Sequence, residues 1–281
     1  MDQQRRRKYS AGGIVRKGVV CLLAVVFLVS AAKVISLMAD RRAGEETYSE
    51  VQETVTPPPP VQEEPQPEEP EPEPVVYCDT HAEALAKTDL SALRETNEYV
   101  VGWISIPDTP VDYPLMQGED NDYYLNHTWD RAANSVGSIY LEHQVSPAFD
   151  DFNTIIYGHR MKNNSMFGSL KYYKDAEYWQ AHPSVYIVND DGVHRYAVFA
   201  AYEAAINEIT YGLEISEDST KQRFIEHGLT SSVIDTGVVP TEKDLVLTLV
   251  TCTGRDYSSR WVVQAVLQDS APLAENTKAI P

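Results

Sequence analysis

LVLTLVTC, residues 245–252, is the stretch that does most to define the fold class of this chain. Its first seven residues are aliphatic or threonine, which predicts a strand buried on both faces, and Cys252 ends the run. Eight residues later Arg260 opens a second apolar run, Trp261 to Leu267. Two strands joined by so short a loop would place the Cys252 thiol opposite the Arg260 guanidinium. The pattern therefore predicts a reactive site at the end of a β-sheet.

Apolar and aromatic runs separated by turn residues continue this pattern along the chain. Eight candidate strands cover residues 100–106, 111–116, 137–141, 153–157, 185–188, 195–202, 245–251 and 261–267. Eight strands favour a mostly β fold, a closed or nearly closed barrel over residues 100–268. We predict two helical insertions, around 166–180 and 219–227. Residues 80–97 are helix-like, and Thr88-Asp89 divides them into two short N-terminal helices.

The N-terminus has the pattern of a membrane anchor. Six basic residues precede an apolar segment from Gly18 to Ala39, about the twenty residues that are needed to span hydrocarbon. Basic residues before such a segment hold the N-terminus in the cytoplasm. We therefore predict a cytoplasmic N-terminus over 1–17, a transmembrane signal anchor over 18–39, and an extracellular location for the rest. A cleavable signal peptide is the alternative, because Val29-Ser30-Ala31 resembles a cleavage site.

Residues 40–76 predict an acidic stalk rich in proline and glutamate. Residues 43–76 hold ten glutamates and no lysine or arginine, and nine prolines lie between Pro57 and Pro74. Such a composition cannot bury a core and favours an extended polyproline-type spacer or an unstructured linker. The 205 residues from Tyr77 to Pro281 are enough for one domain, the predicted catalytic domain. This part carries 14 Lys and Arg against 30 Asp and Glu, which argues against nucleic acid or an anionic membrane surface as its ligand.

Cys252 needs a partner to be reactive, because a thiolate rather than a thiol attacks a carbonyl. Two of the seven histidines follow strand-like runs: His159 comes after residues 154–157 and Gly158, and His143 comes after residues 138–141. Their positions alone do not separate them. Taken singly, Cys252 could also be a buried core residue.

A cation is the third expected component. Arginine stays protonated and carries five N–H donors, so it can hydrogen-bond a substrate backbone or a developing oxyanion. Arg260 begins a predicted strand, which would fix its position, whereas Arg255 lies in the preceding loop. We predict Arg260, with Arg255 as the alternative. Cys78 lies at the junction of stalk and domain and is predicted to be incidental.

Taken together, these motifs resemble the sortase family, membrane-anchored cysteine transpeptidases of Gram-positive bacteria. The resemblance rests on residues 248–252 followed by Arg260, and on Tyr157-Gly158-His159, which favours His159 over His143. Class B is indicated by the run NDYYL at 121–125, by SMFGSL at 165–170 and by the helix-bearing insertion before the cysteine strand. One position departs from the pattern: Val250 stands where class B members commonly have a serine. Rules of the family for the sorting-motif residue near that position are therefore not carried over.

The resemblance implies an eight-stranded sortase-type barrel with His159, Cys252 and Arg260 as catalytic residues at one end. Cys252 would attack the carbonyl of a threonine in a C-terminal sorting motif of a secreted protein, and an amine of a lipid-linked peptidoglycan precursor would resolve the thioacyl enzyme. Substrate contacts are implied at Asn121, Leu125, Tyr157 and Thr251. No acidic cluster with calcium-ligand spacing is evident in the sequence, so we predict no metal and no cofactor.

Three other functions share parts of this pattern. A pilin-polymerising sortase would use the same three residues with a pilin lysine as the acceptor. A cysteine protease would differ only in that water resolves the acyl enzyme. A stalked binding module would carry Cys252 in its core, but that function leaves the joint placement of cysteine, histidine and arginine unexplained.

Overall fold

A computed structural model describes residues 11–55, 79–254 and 258–274. The helices are α1 (Ala11–Val55), α2 (Thr80–Leu85), α3 (Leu90–Thr96), α4 (Ala176–Ala181) and α5 (Asp218–Ser231). The strands are β1 (Val100–Ser105), β2 (Asp112–Met116), β3 (Ile139–Leu141), β4 (Asn153–Tyr157), β5 (Ser184–Asn189), β6 (Gly192–Ala205), β7 (Val246–Cys252) and β8 (Ser259–Ala271). Contacts divide the chain into two compact units, one up to Ala43 and one from Gly44 onward.

The eight strands close into a barrel in the order β1-β2-β3-β4-β7-β8-β6-β5, which confirms the predicted fold class. Each predicted run overlaps one observed strand. Strands β6 and β8 extend beyond the predicted runs, to 14 and 13 residues, because they pair with each other over most of their length. The main core cluster is aliphatic and aromatic, with Trp103, Leu115, Ile156, Leu247 and Val263 among its fully buried members.

The two N-terminal helices of the domain form where the sequence predicts them. Asp79 caps α2 by accepting a hydrogen bond from the Ala82 amide at 3.0 Å, and Asp89 caps α3 through the amides of Ser91 and Ala92. Leu85, Leu90 and Leu93 are buried, which packs both helices on the domain. The division at Thr88-Asp89 is therefore confirmed, and its cause is the side-chain cap.

Both helical insertions are present. The first consists of a 3₁₀ segment, Gly168–Lys174, followed by the short helix α4, and lies between β4 and β5. The second is α5, between β6 and β7, and it buries Phe224 and Ile225. The long connection between β6 and β7 also contains a 3₁₀ turn, Ile209–Tyr211.

The beginning of the predicted stalk differs from the extended form expected there. Helix α1 continues to Val55, so residues 43–55 are helical, and the predicted stalk beyond Val55 lies outside the described residues. Tyr48 and Val51 are buried at 3 % and 5 % exposure. These two residues are three apart and therefore share one helix face. The prediction of an extended spacer used the average composition of the segment, which does not reveal a single apolar helix face.

Helix α1 also contains the predicted anchor. Within Val19–Glu53 a window of 18 residues has a mean hydropathy of 2.6, and the apolar side chains there are exposed. By length and composition this helix is able to cross a membrane, a property that it shares with signal sequences.

Candidate active site

Strand pairing brings Cys252 and Arg260 together. Strand β7 is antiparallel to β8, and in this register Cys252 lies directly opposite Arg260. Directly opposite residues of an antiparallel pair project to the same face, with their Cβ atoms about 5 Å apart. The juxtaposition predicted from the spacing is therefore present.

His159 reaches the same end of the barrel through a parallel pair. Strand β4 runs parallel to β7 with Tyr157 opposite Val250, so the two strands end at the same edge. The Gly158 amide donates to the Val250 carbonyl at 3.1 Å, and the Thr251 hydroxyl donates to the Gly158 carbonyl at 2.7 Å. These bonds extend the contact between β4 and β7 by one residue, to Gly158 and Thr251. They place His159 beside the end of the strand that carries Cys252.

The orientation of the His159 ring is set by a backbone carbonyl. Its Nε2 lies 2.6 Å from the Leu125 carbonyl oxygen, which can only accept, so Nε2 carries a proton. The other nitrogen, Nδ1, is thereby the one available for proton transfer. Gly137 lies against the ring with φ of +64°, and a Cβ there would come within 3.0 Å of the His159 Cδ2. Glycine thus leaves room for the histidine.

His143 lies away from this edge. Strand β3 is antiparallel to β4, with Tyr140 opposite Tyr157 and Leu141 opposite Ile156. The chain that leads to His143 therefore runs toward the start of β4, away from His159. The His143 Nδ1 is 2.8 Å from the Glu142 carboxylate. This geometry favours His159 as the proton carrier, in agreement with the resemblance.

A buried carboxylate holds two of the predicted substrate residues. Glu142 is 6 % exposed, and its Oε2 accepts hydrogen bonds from the Asn121 amide at 2.6 Å and from the Tyr157 hydroxyl at 3.1 Å. Burial, reinforced by the Glu142 charge, raises the pKa of Tyr157 well above its ordinary value. Tyr157 therefore stays protonated and remains a donor.

Two further tyrosines lie between this group and the Cys252–Arg260 pair. Burial raises the pKa of Tyr140, whose ring centroid is 5.5 Å from that of Tyr157 and whose hydroxyl is within the electrostatic reach of Cys252 and Arg260. Burial also raises the pKa of Tyr211 to about 12, an effect that Arg260 opposes. The Tyr211 hydroxyl is buried without a hydrogen-bond partner among the described residues. It is a donor available to a ligand.

The remaining predicted residues lie in different environments. Leu125 is 40 % exposed and can face a substrate. Thr251 is 2 % exposed and its hydroxyl is used by Gly158, so its side chain supports the His159 loop. Arg255 and Cys78 lie outside the described residues. In the described ranges no group of three acidic, histidine or cysteine side chains is arranged to hold a metal ion.

Sequence reasoning missed Glu142, Tyr140 and Tyr211. Tyr140 and Glu142 are two residues apart at the end of a strand-like run. The charge of Glu142 was the only local indication that either residue is functional. Tyr211 lies in the long connection between β6 and β7, where no sequence pattern marked an individual residue.

Comparison with known proteins identifies the family. The model of the sortase domain matches residues 104–268, more than half of the chain. The chain belongs to the sortase family. A curated relative is sortase B of Listeria monocytogenes, which is 36 % identical over 192 residues, 67 % of this chain and 77 % of the relative.

Solved structures agree on the class of this sortase. The Staphylococcus aureus sortase B–substrate complex is 30 % identical, with a TM-score of 0.61, and the match covers 64 % of this chain and 85 % of that one. A crystal structure of sortase B complexed with triglycine matches with the same identity and TM-score, over 64 % of this chain and 86 % of that one. The predicted class B membership is therefore confirmed.

Proposed function

We propose that this sortase cleaves a C-terminal sorting motif after threonine and transfers the cleaved protein to an amine. The observation that carries the proposal is the meeting of Cys252, His159 and Arg260 at the ends of β4, β7 and β8. Three residue types needed for acyl transfer are delivered there by neighbouring strands. Arg260, opposite Cys252 in register, is our choice for the oxyanion-stabilising cation.

In the first half-reaction the Cys252 thiolate attacks the threonine carbonyl, and the carbonyl oxygen becomes an oxyanion that Arg260 stabilises. The peptide C–N bond then breaks. His159 donates a proton to the leaving amine, and the threonine carbonyl remains on sulfur as a thioester. The nitrogen that delivers this proton is Nδ1, because Nε2 is engaged by the Leu125 carbonyl.

In the second half-reaction an amine attacks the thioester. His159 accepts the proton that the amine loses, a new amide bond forms, and Cys252 leaves as thiolate. For this chain we propose an amine of a lipid-linked peptidoglycan precursor as the acceptor and secreted proteins with a sorting motif as the donors. The complexes of related sortase B proteins with a substrate and with triglycine support a bound donor substrate and an amine acceptor.

We propose a single-pass location for the enzyme, with α1 as the anchor, the N-terminus in the cytoplasm and the barrel outside. Both reactants would then meet the enzyme on the extracellular side of the cell membrane. Protease added to intact cells should remove the barrel and spare the N-terminus. A barrel protected in intact cells and degraded only after lysis would contradict this orientation.

The reaction itself is tested with a library of sorting-motif peptides, each incubated with and without a small amine and analysed by mass spectrometry. Product cut after threonine and joined to the amine, absent with Cys252→Ala, is the expected result. Cleavage without any amine-ligated product would identify a hydrolase. Ligation only to a lysine of a pilin subunit would identify the pilin-polymerising alternative.

A further inference from the structure

A cavity of about 490 Å³ lies next to the proposed catalytic residues along the chain, and the reaction described above does not use it. Its lining includes Arg160, Thr253 and Trp261, which directly follow His159, Cys252 and Arg260 in the chain. Successive side chains of a strand point to opposite faces, so Trp261 lies on the other face of β8 from Arg260. The cavity therefore approaches the catalytic end of the barrel from the side opposite Arg260.

The cavity is basic in a domain that is otherwise acidic. Arg160, Lys171 and Lys174 line it, and Glu203 is the one carboxylate among the described lining residues. From Tyr77 onward acidic residues outnumber basic ones by 30 to 14. The local balance is thus the reverse of the domain's. Such a concentration of positive charge attracts an anion and raises its local concentration.

Several contacts hold this lining in place. Lys171 donates to the Asn164 side-chain oxygen at 2.6 Å and lies over the Tyr172 ring, 4.8 Å from its centroid. The Trp261 indole donates to the Leu170 carbonyl at 2.7 Å. These contacts fix one cation and the aromatic wall before any ligand binds.

Gly254 leaves space for the third basic residue of the lining, Arg160, next to the end of β7. Its φ is +80°, a conformation that favours glycine, and a Cβ at this position would overlap the Arg160 guanidinium. The absence of a side chain therefore lets Arg160 lie against the backbone two residues after Cys252. A group bound to Arg160 would therefore lie beside Gly254, two residues after the nucleophile.

We propose that this cavity binds an anionic group, a carboxylate or phosphate, of the amine-bearing acceptor. The proposal rests on the proposed function. The predicted contacts of the sorting motif, Asn121 and Tyr157, belong to the Glu142 cluster, which shares no lining residue with the cavity. The acceptor must reach the thioester while the donor is still attached. A separate basic cavity on the other face meets that need and selects amines that carry a negative charge at a distance.

The test compares two acceptors, triglycine and triglycinamide, which differ in the terminal carboxylate. With a cleavable sorting peptide as donor, the ratio of ligated to hydrolysed product is measured for each acceptor. This ratio is independent of the rate of acylation. We expect a preference for triglycine of about 5-fold, the size expected of two or three partly exposed charge contacts. The preference should disappear at an ionic strength of about 1 M, where charges are screened over about 3 Å.

Variants localise the effect. The double variant Lys171→Gln with Lys174→Gln should lose the preference for triglycine, apart from any difference in the intrinsic reactivity of the two amines. Lys243→Gln is the control for the loss of a surface charge, because it removes one positive charge from an exposed lysine just before β7, at the end remote from Cys252. A triglycine analogue ending in a phosphonate distinguishes the two anions. If it is preferred over triglycine, the acceptor group is a phosphate, and otherwise it is a carboxylate.

Two results would overturn the inference separately from the proposed function. Equal ligation to both acceptors, or a preference that survives in the double variant, leaves the transpeptidase intact and removes the anion site. Cleavage without ligation to any amine removes the transpeptidase, and the inference with it.

Discussion

Arg260 has the strongest single-residue consequence for the reaction. It is opposite Cys252 in the β7–β8 register, and it is the cation proposed to stabilise the oxyanion. Arg260→Ala should reduce turnover of a sorting peptide by about 100-fold or more, the loss typical of removing one oxyanion donor. Arg255→Ala serves as the control and should retain activity. The opposite pattern, with loss only in the Arg255 variant, would transfer the role to that residue.

The two histidines differ in a way that substitution can measure. His159 is beside the Cys252 strand end, whereas His143 belongs to the Glu142 cluster toward the start of β4. His159→Ala should lower the rate of acyl-enzyme formation by about 100-fold or more, and His143→Ala should leave that rate largely intact. Single-turnover kinetics measures the rate. A comparable loss in a folded His143 variant would reverse the assignment.

Single residues were predictable when the chain itself marked them. Cys252, Arg260 and His159 each lie where an apolar run meets a loop, and the spacing of the runs was sufficient to place Cys252 opposite Arg260. Glu142 also ends an apolar run, but nothing in the sequence places it or Tyr140 near the site, because that proximity is created by the pairing of β3 with β4. Position alone also failed to separate His143 from His159, since the direction of β3 is not written in a local pattern.

At the scale of elements, the last part of α1 contacts the loop that borders His159. The Tyr48 hydroxyl donates to the Gly137 carbonyl at 2.6 Å and lies 3.0 Å from the Ser138 hydroxyl, and Gly137 borders the His159 ring. Tyr48→Phe should lower the free energy of unfolding by about 1 kcal/mol, the value of a lost buried hydrogen bond. Urea unfolding measures this, with the exposed neighbour Ser49→Ala as control. Identical unfolding of both variants would contradict the contact.

Helix α2 brings a histidine whose titration affects stability. Burial lowers the pKa of His81 below 6.5, although Asp112, Asp79 and Asp108 act in the opposite direction. The unfolded chain therefore binds a proton at a higher pH than the folded one. Stability from this group is present above the unfolded pKa and is lost as the pH falls through and below about 6.5. His81→Gln should lose less stability than the natural chain between pH 7.5 and pH 5.5. An equal loss in thermal unfolding would contradict the assignment.

Elements were predictable to the extent that local patterns determine them. Eight strands and the cap at Asp89 follow from periodicity and side-chain chemistry, and all are present. The helical course of residues 43–55 was not predicted, because its cause is tertiary: Tyr48 and Tyr113 pack edge to face with ring centroids 5.3 Å apart. Average composition pointed to an extended spacer there.

At the scale of the whole molecule, barrel closure decides which residues meet. Strands β4 and β7 are far apart in sequence, yet they are neighbours and parallel, and this pairing joins His159 to the Cys252–Arg260 strand pair. The domain carries an excess of acidic residues, but basic residues are concentrated in the cavity where the acceptor is proposed to bind. Cell-surface location and acyl transfer would then serve one reaction between tethered partners.

The most direct test of the account is the mass of the intact enzyme during turnover. Mixed with a cleavable sorting peptide and no amine, the natural chain should gain the mass of the acyl fragment on Cys252 and lose it when triglycine is added, with ligated peptide appearing in step. Cys252→Ala should gain nothing. Cleavage of the peptide without an acyl adduct, or with undiminished rate in the Cys252 variant, would contradict covalent catalysis by this cysteine.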